Sequence, residues 1–184
     1  MADDSLTTIA RELEPVLAGV DRDELEGTVR ALEEAPRVFV TGEGRSGLMG
    51  RAFAMRLMHL GLTAYVVGET TTPALRGGDL LVAVSGSGTT AHTVQVAKAA
   101  VAAGARVHAV TSDAESALAR LAATRLVLPA ATKHRRPGEA PSRQPLSSLF
   151  DQATHLTLDA VCLDLAERRQ VDNDAARAAH ANTE

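Results

Sequence analysis

Residues 80–90 read LLVAVSGSGTT, and the fold of the chain follows from how this stretch divides. Leu80, Leu81, Val82, Ala83 and Val84 have the length and branching of a strand covered on both faces, and the run breaks at Ser85 into a Ser/Gly/Thr loop. Residues 91–103 are rich in Ala and Val with Gly104 behind them, which reads as a helix and its stop. The loop therefore joins the carboxyl end of a strand to the amino end of a helix. Free backbone N–H groups, a positive helix end and four hydroxyls (Ser85, Ser87, Thr89, Thr90) meet there, the makings of an anion cradle. An ordinary capped turn needs one Ser or Thr and one Gly. Four hydroxyls with Gly86 and Gly88 exceed that need and point to a phosphate-type ligand.

The same alternation extends in both directions. Upstream, residues 37–41 (RVFVT) form a strand, Gly42-Glu43-Gly44-Arg45-Ser46-Gly47 a glycine-rich turn, and residues 48–60 a helix. This is G-x-G-x-x-G in the strand-to-helix setting of a dinucleotide site, with Glu69, after a second strand at residues 63–67, near the place of a ribose-binding acid. A second cradle at Ser85 is something a dinucleotide site does not need, so the nucleotide reading is the minor one. No G-x-x-x-x-G-K-[ST] occurs, which removes a P-loop. Downstream come a strand at residues 106–111 (RVHAVT), a short helix at 116–121 and a fifth strand at 124–129. Helices between parallel strands imply a right-handed doubly wound α/β sheet, which binds ligands beyond the carboxyl ends of its strands.

Composition narrows the function. A length of 184 residues with 45% hydrophobic content suits one globular unit. Aromatics make up only 2% (Phe39, Phe53, Phe150, Tyr65) and the formal charge is -4, so neither base stacking nor a basic face favours nucleic acid. Cys162 stands alone in LDAVCLDLA, which reads as a buried helical thiol and not as part of a disulfide or metal framework. No apolar run reaches membrane length and the acidic start lacks an apolar core, so a cytoplasmic protein without membrane contact is expected.

The flanks carry less chemistry. Ser5 is placed to cap a helix ending at Gly19, Asp21 to cap a second closed by Pro36, and both helices read as packing or oligomer elements. Residues 130–144 form one long irregular stretch holding Lys133, His134, Arg135, Arg136 and Arg143, bases expected to be largely solvated. A long helix at 146–169 follows, with Asp151 and Gln152 near its start, and then a polar, Ala-rich tail with His180.

Taken together, GEGRSG at Gly42, RLMHLGL at Arg56, GETTTPA at Gly68, VSGSGTT at Val84, SRQPLSSLFDQ at Ser142 and HAN at His180 resemble the 6-phospho-3-hexuloisomerases, members of the sugar isomerase (SIS) domain family. The resemblance implies a flavodoxin-like, five-stranded parallel sheet, with a helical extension at residues 1–36 and an SIS domain at 37–184. It also implies a homo-oligomer, dimer or tetramer, that interconverts 3-hexulose 6-phosphate and fructose 6-phosphate through a cis-enediol without cofactor or metal. On this resemblance Ser46, Ser85, Ser87 and Thr90 hold the phosphate, with Gly86, Gly88 and Thr89 shaping the loop. Gly44, Arg45, Thr71 and Arg143 contact the rest of the substrate. Asp151, at the acidic position of the family's SLFE motif, is the first candidate for the proton steps, followed by His59, Glu69 and His180. Four departures stand out: Glu43 where the family has a small residue, Asp151 for Glu, Ser147 for Gly, and Ala179 and Thr183 in the tail. They motivate the alternative of a non-catalytic or altered-specificity sugar-phosphate-binding protein of the same fold.

Overall fold

The structure is a computed structural model that describes residues 4–135, 139 and 141–183. Its elements run α1 (Ser5–Ala18), α2 (Arg22–Glu34), β1 (Val38–Gly42), α3 (Gly44–His59), β2 (Ala64–Val66), β3 (Leu80–Val84), α4 (Ala91–Ala102), β4 (Arg106–Thr111), α5 (Ala117–Leu121), β5 (Thr124–Val127), α6 (Ser148–Arg169) and α7 (Asn173–Ala178). All pairings are parallel and the sheet order is β2-β1-β3-β4-β5. This is the doubly wound arrangement expected, and its order reverses between β1 and β3. The loops after those two strands therefore open at the switch point, side by side.

Alternate residues of β3 enter different cores, as its unbroken apolar run requires. Leu80, Val82 and Val84 join Val38, Val40, Phe53, Leu57, Phe150 and Leu165 on one face, while Leu81 and Ala83 join Phe39, Ala97, Ala100 and Leu118 on the other. Val16, Val29 and Leu32 of the two leading helices belong to the first core, so α1 and α2 cover their own sheet. Asp4, not Ser5, caps α1: its carboxylate accepts from the N–H groups of Leu6 (2.9 Å) and Thr7 (3.0 Å). Cys162 is buried in α6, and burial pushes its thiol up to about 12. No helix among the described residues is long and apolar enough to cross a membrane.

One buried histidine gives the fold an acid limit. His108 of β4 is 1% exposed, between the hydroxyls of Thr124 (2.9 Å) and Thr28 (3.3 Å), and burial lowers its pKa from 6.5 to about 4. The unfolded chain takes up this proton as pH falls below 6.5 and the folded chain does not until about 4, so stability is lost across that window, by about 3 kcal/mol. His59, also lowered by burial, adds to the loss in the same direction. Urea unfolding at pH 7 and pH 4.5 should show His108→Gln losing distinctly less stability than the parent chain. Equal losses would place the acid sensitivity elsewhere.

Candidate active site

Three helix amino ends and one strand end enclose a cleft of about 350 Å³ at the switch point. Gly44, Arg45 and Ser46 come from the first turn of α3, Val84, Ser85, Gly86, Ser87 and Thr90 from β3 and its loop into α4, and Leu146, Ser147 and Asp151 from the start of α6. Thr132 and Lys133 close the rim. The helix ends turn unsatisfied N–H groups and positive dipole ends toward this space.

The β1 loop is tighter than expected. The helix begins at Gly44, directly after Glu43, and not at Leu48, because Gly47 lets the first turn lie on the strand end: a Cβ there would sit 2.4 Å from the Gly42 carbonyl oxygen. Arg45 and Ser46 are thereby lifted to the edge of the sheet, where they meet a residue more than a hundred positions away. Ser46 Oγ donates to Asp151 Oδ1 (2.9 Å) and Arg45 Nε donates to Oδ2 (3.2 Å). In the β3 loop, Ser85 and Thr90 hydroxyls pair at 2.9 Å, and Thr89 Oγ1 donates to Ser87 Oγ at 3.0 Å. Gly88 has φ +60°, and a Cβ on it would lie 2.1 Å from Ser116 Oγ. The backbone can turn there only with a hydrogen in that place.

Asp151 is the buried carboxyl of the cleft, 3% exposed. Burial raises its pKa, and the hydrogen bonds from Ser46 and Arg45 together with the Arg45 charge oppose the rise. The net rise brings this carboxyl nearer to neutral pH than a solvated one, the direction that suits an acid–base group. At the mouth, the Glu43 carboxylate lies 3.7 Å from His92 Nε2, and Lys133 lines the same cleft.

The remaining candidates lie outside the cleft. His59 and His180 stack on each other, with ring centroids 5.2 Å apart, beside a second hollow of about 500 Å³ lined by Leu60, Gly61, Arg169 and Val171. That hollow is at the carboxyl end of α3, roughly 22 Å along the helix from Gly44. His59 is buried, and burial, Arg56 and His180 all lower its pKa. Glu69 is exposed and paired with Arg51 (2.8 Å), and Thr71 is exposed in the same loop. Arg143 lines a neighbouring pocket.

The bases Lys133, His134, Arg135 and Arg143 are exposed, as expected, yet two of them are engaged. Arg135 donates to the Thr132 carbonyl (2.8 Å) and the Gln144 carbonyl (2.5 Å), and Lys133 is part of the cleft wall. Its contribution, with Thr132, Leu146 and Ser147, was not readable from periodicity, since irregular segments have none. For Thr132 and Lys133 the signal was a set of bases just past a strand end, and for Leu146 and Ser147 it was their place in SRQPLSSLFDQ. Arg136 lies outside the described residues.

A doubly wound sheet with hydroxyls and helix ends gathered at its switch point is the architecture of α/β proteins that bind anionic ligands. The model of one such family, the SIS domain, matches residues 31–155, and the chain belongs to that family. Over 180 residues, 98% of this chain and 90% of the other, it is 43% identical to the 3-hexulose-6-phosphate isomerase of Mycobacterium gastri. It is 37% identical to that of Bacillus subtilis (strain 168) over 176 residues, covering 96% and 95% of the two chains. A Methanococcus jannaschii protein, whose crystal structure was described as inferring a molecular function of 3-hexulose-6-phosphate isomerase, superimposes with a TM-score of 0.83 at 30% identity, covering 97% of this chain and 98% of that one.

Proposed function

We propose that this protein is a sugar-phosphate isomerase that interconverts 3-hexulose 6-phosphate and fructose 6-phosphate. The observation that carries the reading is the position of Asp151: a buried carboxyl opens into the same cleft as the hydroxyls of Ser46, Ser85, Ser87 and Thr90. The isomerase names of relatives 43% and 37% identical, over nearly their whole length, support the same reaction.

In this mechanism the phosphate rests on those hydroxyls and on the N–H groups at the starts of α3 and α4, which anchors the chain of carbons along the cleft. Asp151, as carboxylate, takes the proton from C2 of the 3-ketose. The electron pair forms the C2=C3 bond of a cis-enediol while the C3 oxygen is protonated. Return of a proton to C3 and loss of one from the C2 hydroxyl give fructose 6-phosphate. Arg45 and Ser46 hold the carboxylate in place and balance its charge. Gly86, Gly88 and Thr89 set the loop, and Gly44 frees the first N–H groups of α3.

The exposed Leu48, Met55 and Met58 on α3 and Leu156 and Leu163 on α6 support a homo-oligomer, dimer or tetramer, joined through these helices. His59 and His180, stacked beside a separate hollow, are assigned to the cleft of a neighbouring subunit, given their distance from the cleft of their own. Glu69 is assigned to its ion pair. The single buried thiol fits a reducing, cytoplasmic setting. The experiment is a coupled assay with purified protein and synthetic 3-hexulose 6-phosphate in the presence of a chelator. Formation of fructose 6-phosphate is expected, whereas binding of the sugar phosphate without turnover would leave the alternative of a binding protein.

A further inference from the structure

Beside the phosphate cleft lies a second, separately lined pocket of about 420 Å³, bounded by Thr8 of α1, Arg143 and Gln144 of the segment before α6, Ser148 and Gln152 of α6, and Arg45. Arg45 belongs to both pockets, and its guanidinium group, hydrogen bonded to Asp151, stands between them. Ser148 and Gln152 are one turn apart, so α6 offers Asp151 to the first pocket and these two to the second. The wall is held from outside the SIS match. Glu12 of α1 accepts from Ser142 Oγ (2.6 Å), the Arg143 N–H (2.7 Å) and Gln144 Nε2 (3.0 Å).

One atom in this pocket is out of balance. Gln152 Oε1 is buried with no hydrogen-bond partner among the described residues. A buried acceptor left unpaired is costly, and such atoms in folded proteins call for a reason. Its requirement also selects the ligand. An unpaired acceptor needs a donor, which a hydroxyl supplies and a phosphate dianion does not, while Arg143, Gln144 and Ser148 supply donors for the hydroxyl lone pairs. No acidic side chain lines the pocket among the described residues, so nothing else there repels or replaces such a ligand.

We infer that the Gln152 pocket is the C1-hydroxyl subsite of this enzyme, taking the hydroxymethyl end of the open-chain sugar opposite its phosphate, with Gln152 Oε1 accepting from the C1 hydroxyl. The inference rests on the proposed sugar-phosphate reading and extends it: phosphate and the C4 and C5 hydroxyls in the first pocket, reacting carbons at Asp151, the C1 hydroxyl past Arg45. It makes Gln152 a residue that selects for chain length and hydroxylation.

Calorimetric titration of fructose 6-phosphate and of inorganic phosphate into the parent chain, Gln152→Leu and Arg143→Met tests it. Fructose 6-phosphate should bind Gln152→Leu about tenfold more weakly, with inorganic phosphate unchanged within about twofold. The melting temperature should be equal or higher, because the substitution removes an unpaired acceptor. Arg143→Met, a change at an exposed position, should weaken the sugar phosphate selectively as well. Equal affinity of Gln152→Leu and the parent chain for fructose 6-phosphate would overturn the inference, as would parallel losses for both ligands. Binding without turnover in the parent chain would instead overturn the proposed isomerase while leaving this test readable.

Discussion

Asp151→Asn should lower turnover of 3-hexulose 6-phosphate by on the order of 10²–10⁴-fold, the range in which a positioned acid–base group contributes. The substitution keeps the shape of the side chain, its Oδ1 can accept from Arg45 and its Nδ2 can donate to the Ser46 hydroxyl, so the cleft is not expected to collapse. Affinity for inorganic phosphate should hold or improve, because a negative charge beside the anion site is removed. Steady-state kinetics with phosphate as competitive inhibitor separates the two effects. Loss of turnover accompanied by an equal loss of phosphate binding would show that Asp151 builds the pocket and does not move protons in it. Arg45 and Ser46 each donate to one oxygen of the carboxylate and hold it at the cleft wall.

Gly88→Ala should be the most damaging single-methyl change in the phosphate loop. The left-handed φ of +60° alone costs a non-glycine residue about 1–2 kcal/mol, and overlap with Ser116, whose Oγ and Cβ lie 2.1 and 2.3 Å from the added carbon, adds about 1–3 kcal/mol more. Ser116 cannot give way freely, since it caps α5 through the Ala119 N–H (3.2 Å). The loop must shift, and with it Ser87, Thr89 and Thr90. Chemical unfolding should therefore show a loss of about 2–5 kcal/mol, and phosphate affinity should fall at least about tenfold. A Gly88→Ala/Ser116→Gly double variant should regain part of the stability by removing the overlap. No recovery would mean that the backbone conformation, and not the collision, sets the cost.

How much of this was legible in the amino acids depends on how local each signal is. The run from Leu80 to Thr90 carries its own strand, its own loop chemistry and its own helix start, and the structure places each where those residues imply. Arg106–Thr111 is recovered residue for residue for the same reason. The glycine-rich turn after β1 was read as longer than it is, because Gly47 looks like loop composition until it is seen against the Gly42 carbonyl. Asp4 and Ser5 are both capping residues, and only the backbone decides which carries the first N–H groups. Lys133 and Thr132 join the cleft through tertiary placement alone. His59 and His180 were both legible as candidates, and they do meet, but the length of α3 separates their pair from the hydroxyl cradle. Gln152 closes the SRQPLSSLFDQ motif with no role assigned to it there; its unpaired oxygen exists only once α1, α6 and residues 142–145 are packed.

The proposed isomerisation requires Asp151 to remove a carbon-bound proton from a sugar whose phosphate is anchored in the same cleft. Incubating fructose 6-phosphate with the protein in D₂O, and following the C3 proton by NMR through many reversible turnovers, tests it most directly. Deuterium should accumulate at C3, and the accumulation should vanish in Asp151→Asn. Interconversion with the 3-ketose while C3 keeps its original hydrogen, or undiminished exchange in Asp151→Asn, would contradict it.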